Sequence, residues 1–139
     1  MKSFVKSMRT LGFFLIFANF IQSCDFDTEV SIPKEIIVSN LESGRDQTNH
    51  GPRGTTIYSK DTIVWNWIER EISKFRSGWR SYYATLPSRG ILIDLDQGRS
   101  LLILDHVILY KTRDTVLYHE FQKEKFLQLQ QLIIETGEK

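Results

Sequence analysis

The chain has one cysteine, Cys24, among 139 residues. No internal disulfide can form, so any fold rests on its hydrophobic core. Three histidines offer few metal ligands, and none stands at zinc-type spacing from the cysteine. There is no glycine-rich phosphate loop and no nucleophile elbow. Ser88 sits in a turn but lacks a glycine two residues before it. Long apolar runs are also missing: Leu11 to Phe20 is half of the about 20 residues that a spanning helix needs. Charge of one sign is not in excess, with 18 basic and 17 acidic residues. The basic footprint of a nucleic-acid-binding protein is therefore absent, and no cofactor is implied.

What is present begins at the N-terminus. Lys2, Lys6 and Arg9 form a positive segment without an acid, and Leu11 to Phe20 is an apolar run of signal-peptide length. Ile21-Gln22-Ser23-Cys24 follows and resembles the lipobox of bacterial lipoproteins. The resemblance covers residues 1–24 only. It implies a diacylglycerol on the Cys24 thiol, cleavage before Cys24 and acylation of the new amino group. Gln22 departs from the small residue usual at its position, and Asn19 is unusual in the apolar run. The implied location is the cell membrane or outer membrane, lipid-anchored and facing the periplasm or exterior. Asp25 resembles the inner-membrane retention signal of enteric-type lipoproteins. Several acyl chains together meet the two-signal requirement for stable anchoring. Of the 18 basic residues, three would leave with the signal, so 15 remain against 17 acidic, a net charge of −2.

Three segments are expected: a signal at 1–23, a polar tether or mobile loop at 24–60, and one domain at 61–139. Ser39 to Lys60 is rich in glycine and polar residues and reads as loop; His50 within it is assigned no role. Ile36-Ile37-Val38, after Pro33, is the one strand-like stretch there. The domain should open with a helix capped by Asp61 or Ser59 and ended by Gly78. Val64, Ile68, Ile72, Phe75 and Trp79 recur at helical spacing and form its apolar stripe, with Trp65 and Trp67 widening it. Large aromatics at such spacing usually build core, and Trp67 and Tyr83 are the two expected to be exposed.

Four strands are expected next: Tyr82 to Leu86, Ile91 to Asp96, Ser100 to Lys111 and Thr115 to Phe121. Pro87-Ser88-Arg89-Gly90, Gln97-Gly98 and Thr112-Arg113-Asp114 supply the turns. Short turns make neighbours antiparallel, giving a meander. With Asp96 opposite Arg99, one face holds Ile91, Ile93, Leu95, Leu102, Leu104, His106, Ile108 and Tyr110. The other carries Leu92, Asp94, Asp96, Leu101, Ile103, Asp105, Val107 and Leu109. A final helix from about Gln122 to Thr136 should bury Phe126, Leu129, Leu132 and Ile133. The fold class is α+β, with the N-terminal and C-terminal helices on one sheet face. Such an architecture would resemble cystatin-like, nuclear-transport-factor-like or pleckstrin-homology-like folds, and fold does not set function.

Chemistry-bearing residues are sparse. His106 and His119 would be diagonal neighbours about 7–8 Å apart on one face, but with Asp105 and Glu120 pointing away they read as structural, and no metal site is expected. Asp94, Asp105 and Glu120 could serve a hydrolase only if two carboxyls flanked a cleft. Arg76, Arg80 and Arg89 could meet an anionic ligand or a partner's carboxylates. The reading that results is a non-enzymatic, membrane-anchored envelope protein. It would bind a protein partner as an assembly factor, accessory subunit, inhibitor or immunity-like protein, with Trp67, Tyr83, Arg80 and Arg89 as binding candidates. The alternative is a ligand-binding module using exposed aromatics.

Overall fold

The computed structural model describes residues 25–41 and 55–137. Cys24, the signal segment and His50 lie outside the described residues. The elements are β1 (Glu35–Leu41), β2 (Thr55–Ser59), α1 (Ile63–Ile72), β3 (Arg80–Ser81), β4 (Gly90–Asp94), β5 (Ser100–Ile103), β6 (Val107–Lys111), β7 (Val116–Glu120) and α2 (Lys123–Gly137). The strands form one seven-stranded sheet in the order β2-β1-β4-β5-β6-β7-β3, and every pairing is antiparallel. The class is α+β, but the sheet is larger than the four-stranded meander expected from the sequence.

Three strands account for the difference. The Ile36–Val38 stretch lies in β1, which pairs with both β2 and β4. Residues 35–41 and 55–59, assigned to the tether from composition, thus belong to the sheet. Val30, Ile36, Val38 and Tyr58 are buried with the rest of the core. The strand expected from Tyr82 to Leu86 is not formed. A two-residue strand, Arg80–Ser81, pairs with β7 instead, and the chain then runs irregularly to Arg89. The long strand expected from Ser100 to Lys111 is two strands. The Leu104 carbonyl region turns through Asp105 and His106, with the Leu104 N–H donating to the Val107 carbonyl at 2.9 Å. Asp is a poor strand residue, and a reversal here lets both halves bury their apolar residues.

The register also differs by one residue at β5. Gln97 and Gly98 both have positive φ, at 51° and 74°, as a two-residue hairpin loop requires. Arg99 donates its N–H to the Asp96 carbonyl at 2.8 Å and accepts from the Leu95 N–H at 3.0 Å. Two residues thus oppose one, a β-bulge. Beyond it Ile93 pairs with Leu101, and Ile91 with Ile103. A one-residue slip moves every side chain to the opposite face, so Leu101 and Ile103 face the helices, in place of Leu102 and Leu104.

Both helices pack on that inner face. Val64, Ile68 and Ile72 of α1 and Leu129 of α2 join Ile36, Val38, Ile91, Ile93, Leu101, Ile103, Ile108 and Tyr110 in one cluster. The cap of α1 is Thr62, whose hydroxyl accepts from the Trp65 N–H at 3.4 Å, and not Asp61 or Ser59. The helix stops at Ile72, with Ser73 as its C-cap, well before Gly78. The Ser73 hydroxyl turns back to the Arg70 carbonyl at 3.1 Å, a local bond that competes with helix continuation. Phe75 and Trp79 still reach the core from the following loop. Trp79 is fully buried, exchanges backbone hydrogen bonds with Phe26 and donates its indole N–H to the Phe75 carbonyl at 2.8 Å. The last helix matches expectation closely, and Phe126, Leu132 and Ile133 pack with Leu129.

Candidate functional site

The sheet has a second face that carries no helix among the described residues. Cross-strand pairing sets its composition. One row runs Leu92, Leu102, Leu109, Tyr118, Arg80 across β4, β5, β6, β7 and β3. A second row runs Ile57, Ile37, Asp94, Ser100, Lys111, Val116. Leu102, Leu104 and Leu109 are buried here, with Leu41, Tyr82, Leu92, Val107, Val116 and Tyr118 packed around them. The face expected to be half charged is therefore largely apolar toward the β7 side, because Tyr82, Val116 and Tyr118 join the leucines there while Asp94 and Asp96 lie by the β4–β5 hairpin.

The irregular segment after β3 turns this face into a groove. The Tyr82 N–H donates to the Val116 carbonyl at 2.9 Å, and its hydroxyl donates to the Thr85 carbonyl at 3.0 Å. The rings of Tyr82 and Tyr118 meet edge to face, with centroids 6.3 Å apart. Gly90 then brings the chain back into β4 at φ +109°, so close to β5 that a Cβ would stand 2.7 Å from the Ile103 carbonyl oxygen. Only glycine fits that approach. The result is a cavity of about 460 Å³ with Leu104, Val107, Leu109, Tyr82, Pro87 and Tyr118 as apolar lining and Arg89, His106 and Glu120 as polar lining.

The rim carries opposed charges. His106 Nδ1 lies 2.5 Å from Asp105 Oδ1. That hydrogen bond, with the charges of His106 and Arg89, holds the Asp105 carboxyl below the ordinary carboxylate value. A carboxylate does stand beside His106, contrary to the sequence expectation. The two histidines do not share a face. His106 opens toward the groove. His119 is paired with Ile108 on the inner face and packs against Phe75 and Trp79. Both His119 ring nitrogens approach backbone carbonyls, of Glu120 at 2.8 Å and Ser77 at 3.1 Å, so it clamps the loop after α1 to β7. Among the described residues no group of three or more His, Cys, Asp or Glu side chains could hold a metal ion.

The other candidates separate. Trp67, expected to be exposed, is 5% exposed and belongs to the core, since α1 is covered on more than one stripe. Tyr83 is 93% exposed and does not line the groove. Arg80 forms an ion pair with Asp25 at 3.1 Å and stands in the row beside Tyr118. Arg89 alone of the four lines the cavity. Arg76 accepts a backbone bond from Thr28 at its carbonyl. Asp94 flanks the β4–β5 hairpin with Asp96 and Arg99, at the end of the strands opposite to Asp105, so the three carboxylates considered for hydrolysis do not converge. Tyr82, Tyr118, Leu109 and His106 were missed as a set. Their signal was the alternation of Val116, Tyr118 and Glu120, legible only once β7 is placed beside β6.

A second cavity, of about 470 Å³, lies at the end of the helix layer and is lined by Glu71, Lys74, Phe75, His119, Phe121 and Lys125. Glu71 is 4% exposed and is met by Lys74 at 2.9 Å, Arg70 at 3.3 Å and Lys125 at 3.4 Å. Burial pushes its carboxyl up, but hydrogen bonds from Lys74 and Arg70 and the charge of Lys125 outweigh burial and leave it below the ordinary value. This cluster ties α1 to α2. No helix among the described residues is long and apolar enough to cross a membrane. Comparison of the chain with protein-family models, curated proteins and solved structures returned no match.

Proposed function

We propose that the protein is a lipid-anchored, non-enzymatic protein of the bacterial cell envelope that binds a protein partner through the helix-free face of its sheet. The observation that carries the reading is the groove on this face, walled by half-buried Tyr82, Val107 and Tyr118 over the buried Leu104 and Leu109. Contiguous apolar patches rimmed by polar residues mark interaction sites. Aromatic and Arg side chains are the usual anchors of such interfaces, and Tyr82, Tyr118 and Arg89 supply them here. Arg89 against Asp105 and Glu120 gives the rim both signs of charge, suited to register rather than to general adhesion. Lipidation at Cys24 would place this face at a membrane, in keeping with the lipobox resemblance. A groove of this volume also falls in the range of small-molecule sites, which supports an envelope ligand as the second reading.

The test is a pull-down from membranes with the lipidated protein, a Cys24→Ser variant and a Val107→Asp variant. Val107 lines the groove and is half-buried, so a carboxylate there would be desolvated by any apolar partner. An envelope protein should be enriched by the parent chain and lost with Val107→Asp, while Val107→Asp stays in the membrane fraction. Cys24→Ser should be released from the membrane. If no envelope protein is enriched, the partner reading fails. If Cys24→Ser still fractionates as an integral membrane protein, the anchor reading fails.

A further inference from the structure

Among the described residues the sheet ends on β2, and this edge differs from those that proteins normally protect. Charged side chains, proline and bulges are the usual devices that keep edge strands from pairing. Thr55–Ser59 reads Thr-Thr-Ile-Tyr-Ser and has none of the first two. Ile57 at its centre is 64% exposed and is paired with Ile37, itself 40% exposed, on the same face of the sheet.

The direction of the backbone groups follows from one bond. The Lys60 N–H donates to the Lys34 carbonyl at 2.6 Å, which makes that pair a hydrogen-bonded one. In an antiparallel ladder such pairs alternate, so Tyr58 and Thr56 bond inward to Ile36 and Val38 in the observed register. Ile57 therefore turns its N–H and carbonyl toward the edge. Ser59 turns the same way, and its carbonyl is already taken by the Thr62 N–H at 3.2 Å and the Thr62 hydroxyl at 2.8 Å. The central residue thus offers one donor and one acceptor to whatever lies alongside.

We infer that β2 is a pairing edge for a second copy of this chain, antiparallel, with Ile57 opposite Ile57 of that copy. A two-fold axis at Ile57 brings each outward N–H to the other's outward carbonyl and sets the two isoleucine side chains side by side. A shift of one residue would face outward groups with inward ones and form no ladder. The strand is neutral, so two copies meet without repulsion, and a second copy is certain to carry the matching parity. The end of α2 reaches the same edge: the Tyr58 hydroxyl is 3.0 Å from the Thr136 hydroxyl. Five strand residues are well short of the roughly 20–30 per side of a stable interface, so the pair is weak and exchanging. The inference does not depend on the lipid anchor or on the groove.

Disulfide trapping tests it in the full chain carrying Cys24→Ser, which has no other thiol. In a hydrogen-bonded antiparallel pair opposed Cα atoms are about 5.5 Å apart, within the roughly 4.4–6.8 Å that a disulfide spans. Ile57→Cys should give a disulfide-linked dimer under mild oxidation. Ser59→Cys should not, because its two copies would be four residues apart along the ladder, roughly 13 Å. Light scattering should show a mass that rises with concentration for the Cys24→Ser chain and stays monomeric with Ile57→Lys. No dimer from Ile57→Cys, equal trapping by Ser59→Cys, or a mass unaffected by Ile57→Lys overturns the inference.

Discussion

Replacing Gly90 with alanine should destabilise the protein more than its position at a strand end suggests. Two costs combine. At φ +109° an L side chain is strained by about 1–3 kcal/mol. The new Cβ would also stand 2.7 Å from the Ile103 carbonyl oxygen, and 3.4 Å from side-chain atoms of Leu102 and Leu104. The oxygen belongs to the backbone of β5, in the interior of the sheet, and cannot swing away as a side chain would. Overpacking of this kind costs about 1–3 kcal/mol. The expected total is about 3 kcal/mol, or a fall in Tm of roughly 12–20 °C for a domain near 100 residues. Gly98→Ala is the internal control. It has a similar backbone constraint, φ +74°, but its nearest neighbour is Arg113 Cγ at 3.6 Å, so it should lose only about 1–2 kcal/mol. Urea unfolding followed by circular dichroism measures both, with unchanged m values marking a change in stability alone. A loss for Gly90→Ala no greater than for Gly98→Ala would refute the close-approach argument.

The Glu71 cluster should make stability fall on acidification. Its folded carboxyl lies below the ordinary value of 4.5, so its contribution is present above the unfolded pKa and lost as pH falls through the folded one. Urea midpoints across that range should fall for the parent chain and fall less for Glu71→Gln. At neutral pH Glu71→Gln should cost about 1–2 kcal/mol. That is less than the 3–5 of a fully buried pair, because Arg70 and Lys74 are more than half exposed and can be solvated. A midpoint with the same acid dependence in both proteins would exclude this role for Glu71. Trp79→Phe should lose about 2–3 kcal/mol in urea unfolding, from removed volume and from the Phe75 carbonyl left without its indole donor; a loss under about 1 kcal/mol would mean that the site collapses around the smaller ring.

Legibility varied with the range of the interaction responsible. The α2 stripe of Phe126, Leu129, Leu132 and Ile133 was visible because helical packing repeats locally. β4 and β7 were visible because alternation and turn residues agreed, whereas β5 and β6 read as one strand because their apolar runs continue across Asp105-His106. The α1 stripe was also visible, but Phe75 and Trp79 continued it in sequence after the helix had ended, so its length was overestimated. β2 was hidden because Thr-Thr-Ile-Tyr-Ser follows a glycine-rich stretch, and its strand character depends on β1 alongside. Of the candidate site, Arg89 was legible as a charge next to a turn. Trp67 was misplaced because exposure was inferred from its distance to a single stripe, whereas α1 buries Trp65, Trp67 and Glu71 as well.

By itself, the sequence determined the class of fold, the hairpins at Gln97-Gly98 and at Thr112-Arg113-Asp114 and the absence of disulfide support, since all three follow from residue type and near-neighbour spacing. It also determined the lipobox resemblance at Cys24, on which the proposed location rests. Tertiary structure alone decided which face each β5 residue occupies. The bulge that opposes Leu95 and Asp96 to Arg99 exists only in the pairing of two strands, and a one-residue offset exchanges the faces of every residue beyond it. That exchange put Leu102 and Leu104, in place of Leu101 and Ile103, beside Tyr82 and Tyr118, whose own place there depends on β7 and the chain after β3 lying beside β6.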